Sequence, residues 1–124
     1  MPITGLNHAV LFVRDMDVAA DFYRDAFGFE EPERPAGMRA VFLRSPSGGN
    51  HHDLGLFEVG PNAARPPRGS VGLYHLAWQI DTIEQLAEMA QRLSGRGAMT
   101  GASDHGVSKS LYGHDPDGNE FEVM

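Results

Sequence analysis

The sequence predicts an α+β protein of two βαβββ repeats packed together. Three observations carry this expectation. Gly5-Leu6-Asn7-His8 returns 67 residues later as Gly72-Leu73-Tyr74-His75. Each copy opens a β-prone run, and a segment of helical spacing follows it. A turn of one design, Ser45-Pro46-Ser47-Gly48 and then Asp115-Pro116-Asp117-Gly118, precedes the last strand of each half.

The elements follow in order. Residues 9–13 and 76–80 are apolar runs that end at Arg14-Asp15 and Asp81, and both read as strands. Helical spacing then covers 18–27, with Phe22 and Ala26 in phase, and 83–93, with Leu86, Ala90 and Leu93 in phase. Thr82 and Gln85 form a capping box for the second helix. Gly28 and Gly95 fall where a left-handed C-terminal cap is wanted. Short β-like runs come next, 39–43 and 53–59 in the first half, 108–112 and 119–124 in the second. The Pro- and Arg-rich stretch 61–69 reads as a linker. With 124 residues, 41% of them apolar, the chain is expected to form a single domain of repeat 1 (about 1–60), linker (about 61–70) and repeat 2 (about 71–124). One copy of ~60 residues buries too little by itself.

Composition limits the chemistry. Without cysteine there is no disulfide and no thiolate metal site, so any metal must be held by histidine and carboxylate. The start Met1-Pro2-Ile3-Thr4 carries no basic segment before an apolar run, and no stretch approaches the ~20 apolar residues of a membrane helix. A cytoplasmic protein without a membrane partner is the expectation. The net charge of −7, with scattered Lys and Arg, argues against nucleic acid.

His8 and His75 occupy the same place in the two copies. Alone, either reads more readily as a hydrogen-bonded core histidine than as a ligand. Two at equivalent positions can converge on one metal. Glu122 lies 47 residues after His75, and the residue 47 after His8 is Gly55. Phe121 and Val123 then match Leu54 and Leu56, and period-2 alternation places Glu122 and Gly55 on the opposite, inner face. Glu120 has the same parity and competes with Glu122, but the repeat register selects Glu122. Two histidines and one carboxylate form a facial triad with open positions, whereas a second carboxylate at position 55 would have closed the site.

These residues resemble the vicinal oxygen chelate superfamily of glyoxalase I, bleomycin- and fosfomycin-resistance proteins and type I extradiol dioxygenases. The repeated units cover essentially the whole chain, and the resemblance implies that they pack into one open, incomplete β-barrel around a metal site. His105-Gly106-Val107-Ser108-Lys109-Ser110-Leu111-Tyr112-Gly113-His114-Asp115-Pro116-Asp117-Gly118-Asn119-Glu120-Phe121-Glu122 is similar to the extradiol signature, with Ser103 as a departure. The resemblance implies His8, His75 and Glu122 as ligands of one divalent metal. Fe(II) is favoured over Mn, Ni, Zn or Co. It also implies His105 and Tyr112 as second-sphere catalytic groups. The stretch His52 to Phe57 is similar to the family's His-Asp-x-x-x-Phe, which implies His52 as the acid–base residue. Strict alternation puts His51 rather than His52 on the Gly55 face, so His52 turns inward only if the strand begins irregularly.

The activity so implied is extradiol-type cleavage of a catechol-like aromatic diol, with O2 as co-substrate and a homodimer as the assembly. The alternatives are a glyoxalase-like lyase or isomerase, which Gly55 counts against, and a small-molecule binding or antibiotic-resistance protein. Phe42, Phe57 and Trp78 are the expected aromatic lining of the pocket.

Overall fold

Local sequence starts and stops each helix of the structure, a computed structural model that describes residues 2–124. The Asp15 carboxylate accepts from the N–H groups of Asp17 and Val18 at 2.9 and 3.1 Å, so helix α1 (Met16–Phe27) begins there. Such a cap stabilises by ~1 kcal/mol. Gly28, at φ +74°, ends it in the left-handed conformation and donates to Arg24 O. Helix α2 (Ile83–Gly95) opens on the Thr82–Gln85 capping box.

Its end departs from expectation. Gly95 is the last helical residue and Arg96 the cap, while Gly97, at φ +66°, takes the left-handed turn. The helix includes position 95, so the reversal falls at the next glycine.

The strands are β1 (Ala9–Val13), β2 (Glu30–Glu33), β3 (Ala40–Arg44) and β4 (Leu54–Glu58), then β5 (His75–Trp78), β6 (Met99–Asp104), β7 (Lys109–His114) and β8 (Glu120–Val123). With α1 and α2 they spell βαβββ twice. The chain divides into two compact units at Ala63/Ala64, inside the expected linker. Each unit holds an open four-stranded mixed sheet, in the order β1-β4-β3-β2 in the first and β5-β8-β7-β6 in the second. The parallel pairs are β1 with β4 and β5 with β8. Val10 lies opposite Gly55 and Ala77 opposite Glu122, so the strand register repeats with the 67-residue offset.

One face of each sheet packs on its helix. In the first unit Leu11, Val13, Val41, Leu43, Leu54 and Leu56 are buried on this side, with Ala19, Phe22, Tyr23 and Ala26 of α1. In the second, Leu86, Met89 and Leu93 of α2 are buried, together with Leu111, Phe121 and Val123. Met89 rather than Ala90 is fully buried in that helix. Each fully buried leucine is worth ~2 kcal/mol of transfer free energy. The other face of each sheet carries Gly55 in the first unit and Glu122 in the second. Among the described residues no helix is long and apolar enough to cross a membrane.

Candidate functional site

In the second unit His75 opens β5 and Glu122 lies on β8, with 3.4 Å between His75 Nε2 and Glu122 Oε1. Both are largely sheltered, at 29% and 16% side-chain exposure. The Tyr74 ring stands edge-on to the His75 imidazole, with centroids 4.5 Å apart. On the other side of Glu122, across the antiparallel β7–β8 ladder, lies Tyr112. Its hydroxyl is 3.2 Å from Ser103 Oγ. Residues directly opposite in a ladder share a face, so Tyr112, Glu122 and His75 stand together on the face away from α2. Ser103, the departure from the extradiol signature, is the residue that holds Tyr112. Glu120 faces His75 in the backbone ladder, but its side chain is exposed and lines a cavity of about 630 Å³ beneath the linker with Arg68 and His114.

The turn ahead of β8 is organised by Asp115, buried to 1% exposure. Its carboxylate accepts from Asp117 N, Asn119 N and Asn119 Nδ2 at 2.9, 2.9 and 3.0 Å. Arg65 Nη1 adds bonds to Asp117 O and Asn119 Oδ1. The Asp-Pro-Asp-Gly motif is thus scaffolding that fixes the entry of the strand carrying Glu122. His105 sits in the exposed turn between β6 and β7, its backbone N–H donating to Ser108 O.

In the first unit the His8 imidazole Nδ1 is 2.8 Å from Asn7 Oδ1. That bond leaves Nε2 as the nitrogen free to ligate when Nδ1 carries the proton. The His52 ring packs on His8, with centroids 4.5 Å apart, and on Phe42 at 4.7 Å. The β3–β4 ladder begins at Leu54, so the backbone at 51 and 52 is free of strand alternation. His52 therefore reaches the Phe42 and Gly55 face, and His51 stays 59% exposed. Burial, then the neighbouring imidazoles of His8 and His51, push the His52 pKa below the ordinary histidine value. A lowered pKa favours the neutral ring, the form a general base needs.

Phe42 faces Gly55 in the same place that Tyr112 faces Glu122. Phe57 lies on this face too, T-shaped to Phe42 at 6.1 Å. Trp78 does not join them. It pairs with the buried core residue Val123, which puts it on the helix-facing side of its sheet, contrary to the expected lining.

Neither unit by itself gathers three His, Asp or Glu side chains into a metal-holding group among the described residues. The pair His75 and Glu122 lies in the second unit and His8 in the first. The donor pair fits a divalent ion. Two ligand atoms each ~2.1 Å from one ion lie roughly 3.0–3.4 Å apart at right to tetrahedral angles, which matches the 3.4 Å between Nε2 and Oε1.

The family described as Glyoxalase/Bleomycin resistance protein/Dioxygenase superfamily matches residues 5–123 of the chain. The chain is 33% identical over 124 residues to a protein named catechol-2,3-dioxygenase from Bacillus subtilis (strain 168), covering 97% of this chain and 41% of that one. It thus spans about two fifths of that relative's length. Among solved structures, a glyoxylase/bleomycin resistance protein/dioxygenase domain from Frankia sp. EAN1pec superposes with a TM-score of 0.78 at 24% identity, over 99% of this chain and 92% of that one. A lactoylglutathione lyase from Agrobacterium tumefaciens superposes with a TM-score of 0.70 at 27% identity, over 98% and 93%.

Proposed function

The chain belongs to the glyoxalase/bleomycin resistance/dioxygenase superfamily, and from that premise we propose that it is an Fe(II)-dependent extradiol-type dioxygenase of a catechol-like diol. The observation that carries this reading is the His75–Glu122 pair beside Tyr112, set against a glycine at the equivalent position 55. A carboxylate at both places would give a four-ligand set of the kind suited to a lyase or isomerase. One carboxylate leaves room for a chelating substrate.

His75, Glu122 and His8 would hold the ion. When bound, it supplies Lewis acidity that lowers the pKa of a diol hydroxyl. The remaining steps belong to side chains. His52, whose pKa is lowered chiefly by burial, accepts the second hydroxyl proton at a ring nitrogen and can return it. The Tyr112 hydroxyl, already engaged with Ser103, donates a hydrogen bond to the oxyanion that develops. Phe42 and Phe57 flank the aromatic ring. His105, on its exposed turn, is the second histidine available for proton transfer. The assembly is a homodimer, as the resemblance implies.

Oxygen uptake measured with a panel of catechols, after reconstitution with Fe(II) or Mn(II), tests the reading. The expected result is stoichiometric O2 consumption with appearance of a coloured ring-opened product. Metal-loaded, folded protein that consumes no O2 with any diol overturns it and leaves a glyoxalase-like lyase or isomerase as the stronger reading, in keeping with the likeness to lactoylglutathione lyase.

A further inference from the structure

Beside His52 the first unit carries two further groups in line. His51 Nδ1 is 3.1 Å from His52 Nδ1. On its other side, His51 Nε2 is 3.5 Å from Glu33 Oε2. The β2–β3 ladder shifts register between Glu30 and Glu33, and the shift sets Glu33 opposite Phe42. The carboxylate therefore stands on the same sheet face as Phe42, Gly55 and Val10.

We propose that Glu33 and His51 are positioning residues that lock His52 in the tautomer with Nδ1–H, leaving Nε2 as the nitrogen that takes up the proton. The inference rests on the reading of His52 as the acid–base residue. Two imidazole nitrogens 3.1 Å apart must share one proton, because facing lone pairs repel and facing N–H groups clash. Geometry alone does not say which ring owns it. Glu33 does, because an ionised carboxylate only accepts. It favours the proton of His51 on Nε2, so His51 presents the bare Nδ1 to its neighbour. His52 must then be the donor, through Nδ1–H. Its Nε2, across the ring from His51, is left as a lone pair. The logic is that of a carboxylate orienting a histidine, extended by one ring. Without these partners a neutral histidine side chain in water favours the opposite tautomer, with the proton on Nε2 and no base on that nitrogen.

Long-range ¹⁵N–¹H spectra of the full chain read the tautomers directly, at a pH where every imidazole is neutral. Wild type should show Nδ1–H on His52 and Nε2–H on His51. His51→Phe removes the acceptor and should invert the His52 tautomer. His51→Asn keeps an acceptor near the place of Nδ1 and should restore it. Glu33→Ala, at an exposed position, should shift both rings towards a mixture, and it keeps the test open should His51→Phe fold poorly. With a cleavable diol, kcat should fall about tenfold in His51→Phe at unchanged KM and recover in His51→Asn. If His52 keeps one tautomer in wild type, His51→Phe and Glu33→Ala alike, the proposal is overturned. Inversion in a protein that cleaves no diol would uphold the positioning role and reject the dioxygenase reading alone.

Discussion

His75 and Glu122 meet on the diagonal. The residue opposite His75 in the β5–β8 ladder is Glu120, and Glu122 stands one pleat further on, opposite Ala77. Yet it is Glu122 Oε1 that lies 3.4 Å from His75 Nε2. Side chains lean along a strand, so a diagonal pair can converge where a direct pair splays apart. Exposed Glu120 lines the cavity beneath the linker instead.

The diagonal predicts which acid matters. His75→Ala and Glu122→Gln should each reduce divalent metal content to background, whereas Glu120→Gln should leave it unchanged. Metal analysis of protein purified without chelator reads all three. Full occupancy in His75→Ala, or loss in Glu120→Gln, would break the assignment of the ligands.

Tyr112 separates binding from chemistry. Tyr112→Phe keeps the ring across from Glu122 and removes only the hydroxyl bonded to Ser103. Metal content should be unchanged while kcat falls on the order of 10², the cost of one lost donor to an oxyanion. A parallel loss of metal would make Tyr112 structural.

How far the sequence could be read depended on what held each element. Strand β1 and the Thr82 capping box were legible because they rest on local patterning. Strands β2 and β6 were not placed. Glu30-Glu31-Pro32-Glu33 and Met99–Asp104 are edge strands held by backbone pairing, without an apolar face to announce them. The equivalence of Gly55 and Glu122 was legible because the parallel pairs keep one register in both units. The equivalence of Phe42 and Tyr112 was hidden. An offset of 67 from Phe42 leads to Lys109, whereas the ladder puts Tyr112 in that place, so the second copy is longer before β7. Glu33 gave no signal, since only the register shift in β2 carries it to the face of His51.

Acid should weaken the start of α1. Glu58 Oε1 accepts from Met16 N at 3.1 Å, and Oε2 accepts from Arg39 Nε at 2.8 Å. The backbone N–H of Met16 first, then Arg39, hold its carboxyl below the ordinary glutamate range. Because the folded pKa is depressed, this contribution is full above the unfolded pKa and is lost as pH falls through the folded one. In Glu58→Gln the urea midpoint should be lower than wild type at neutral pH, and the gap should close in acid. An equal gap at both pH values would mean that the charge of Glu58 contributes nothing.

The last prediction concerns the place where the two units differ most in chemistry. A Cβ at position 55 would lie 3.3 Å from Phe42 Cε1 and 3.4 Å from Val10 Cγ2, so the Phe42 ring fills the room that Glu122 has for its carboxylate. Gly55→Ala should therefore cost ~1 kcal/mol as Phe42 gives way, and Gly55→Glu should cost more. Phe42→Ala should relieve that strain, so the pair should show a favourable coupling in a double-mutant cycle of stability. In the double variant Phe42→Ala/Gly55→Glu the new carboxylate has space to act as a fourth donor. Divalent metal binding should then hold or tighten while O2-dependent cleavage is suppressed, because a position open to substrate is filled. Phe42→Ala alone controls for loss of the aromatic wall. If the folded, metal-loaded double variant cleaves diols as fast as that control, residue 55 does not face the metal, and the equivalence of Gly55 with Glu122 carries no meaning for the chemistry.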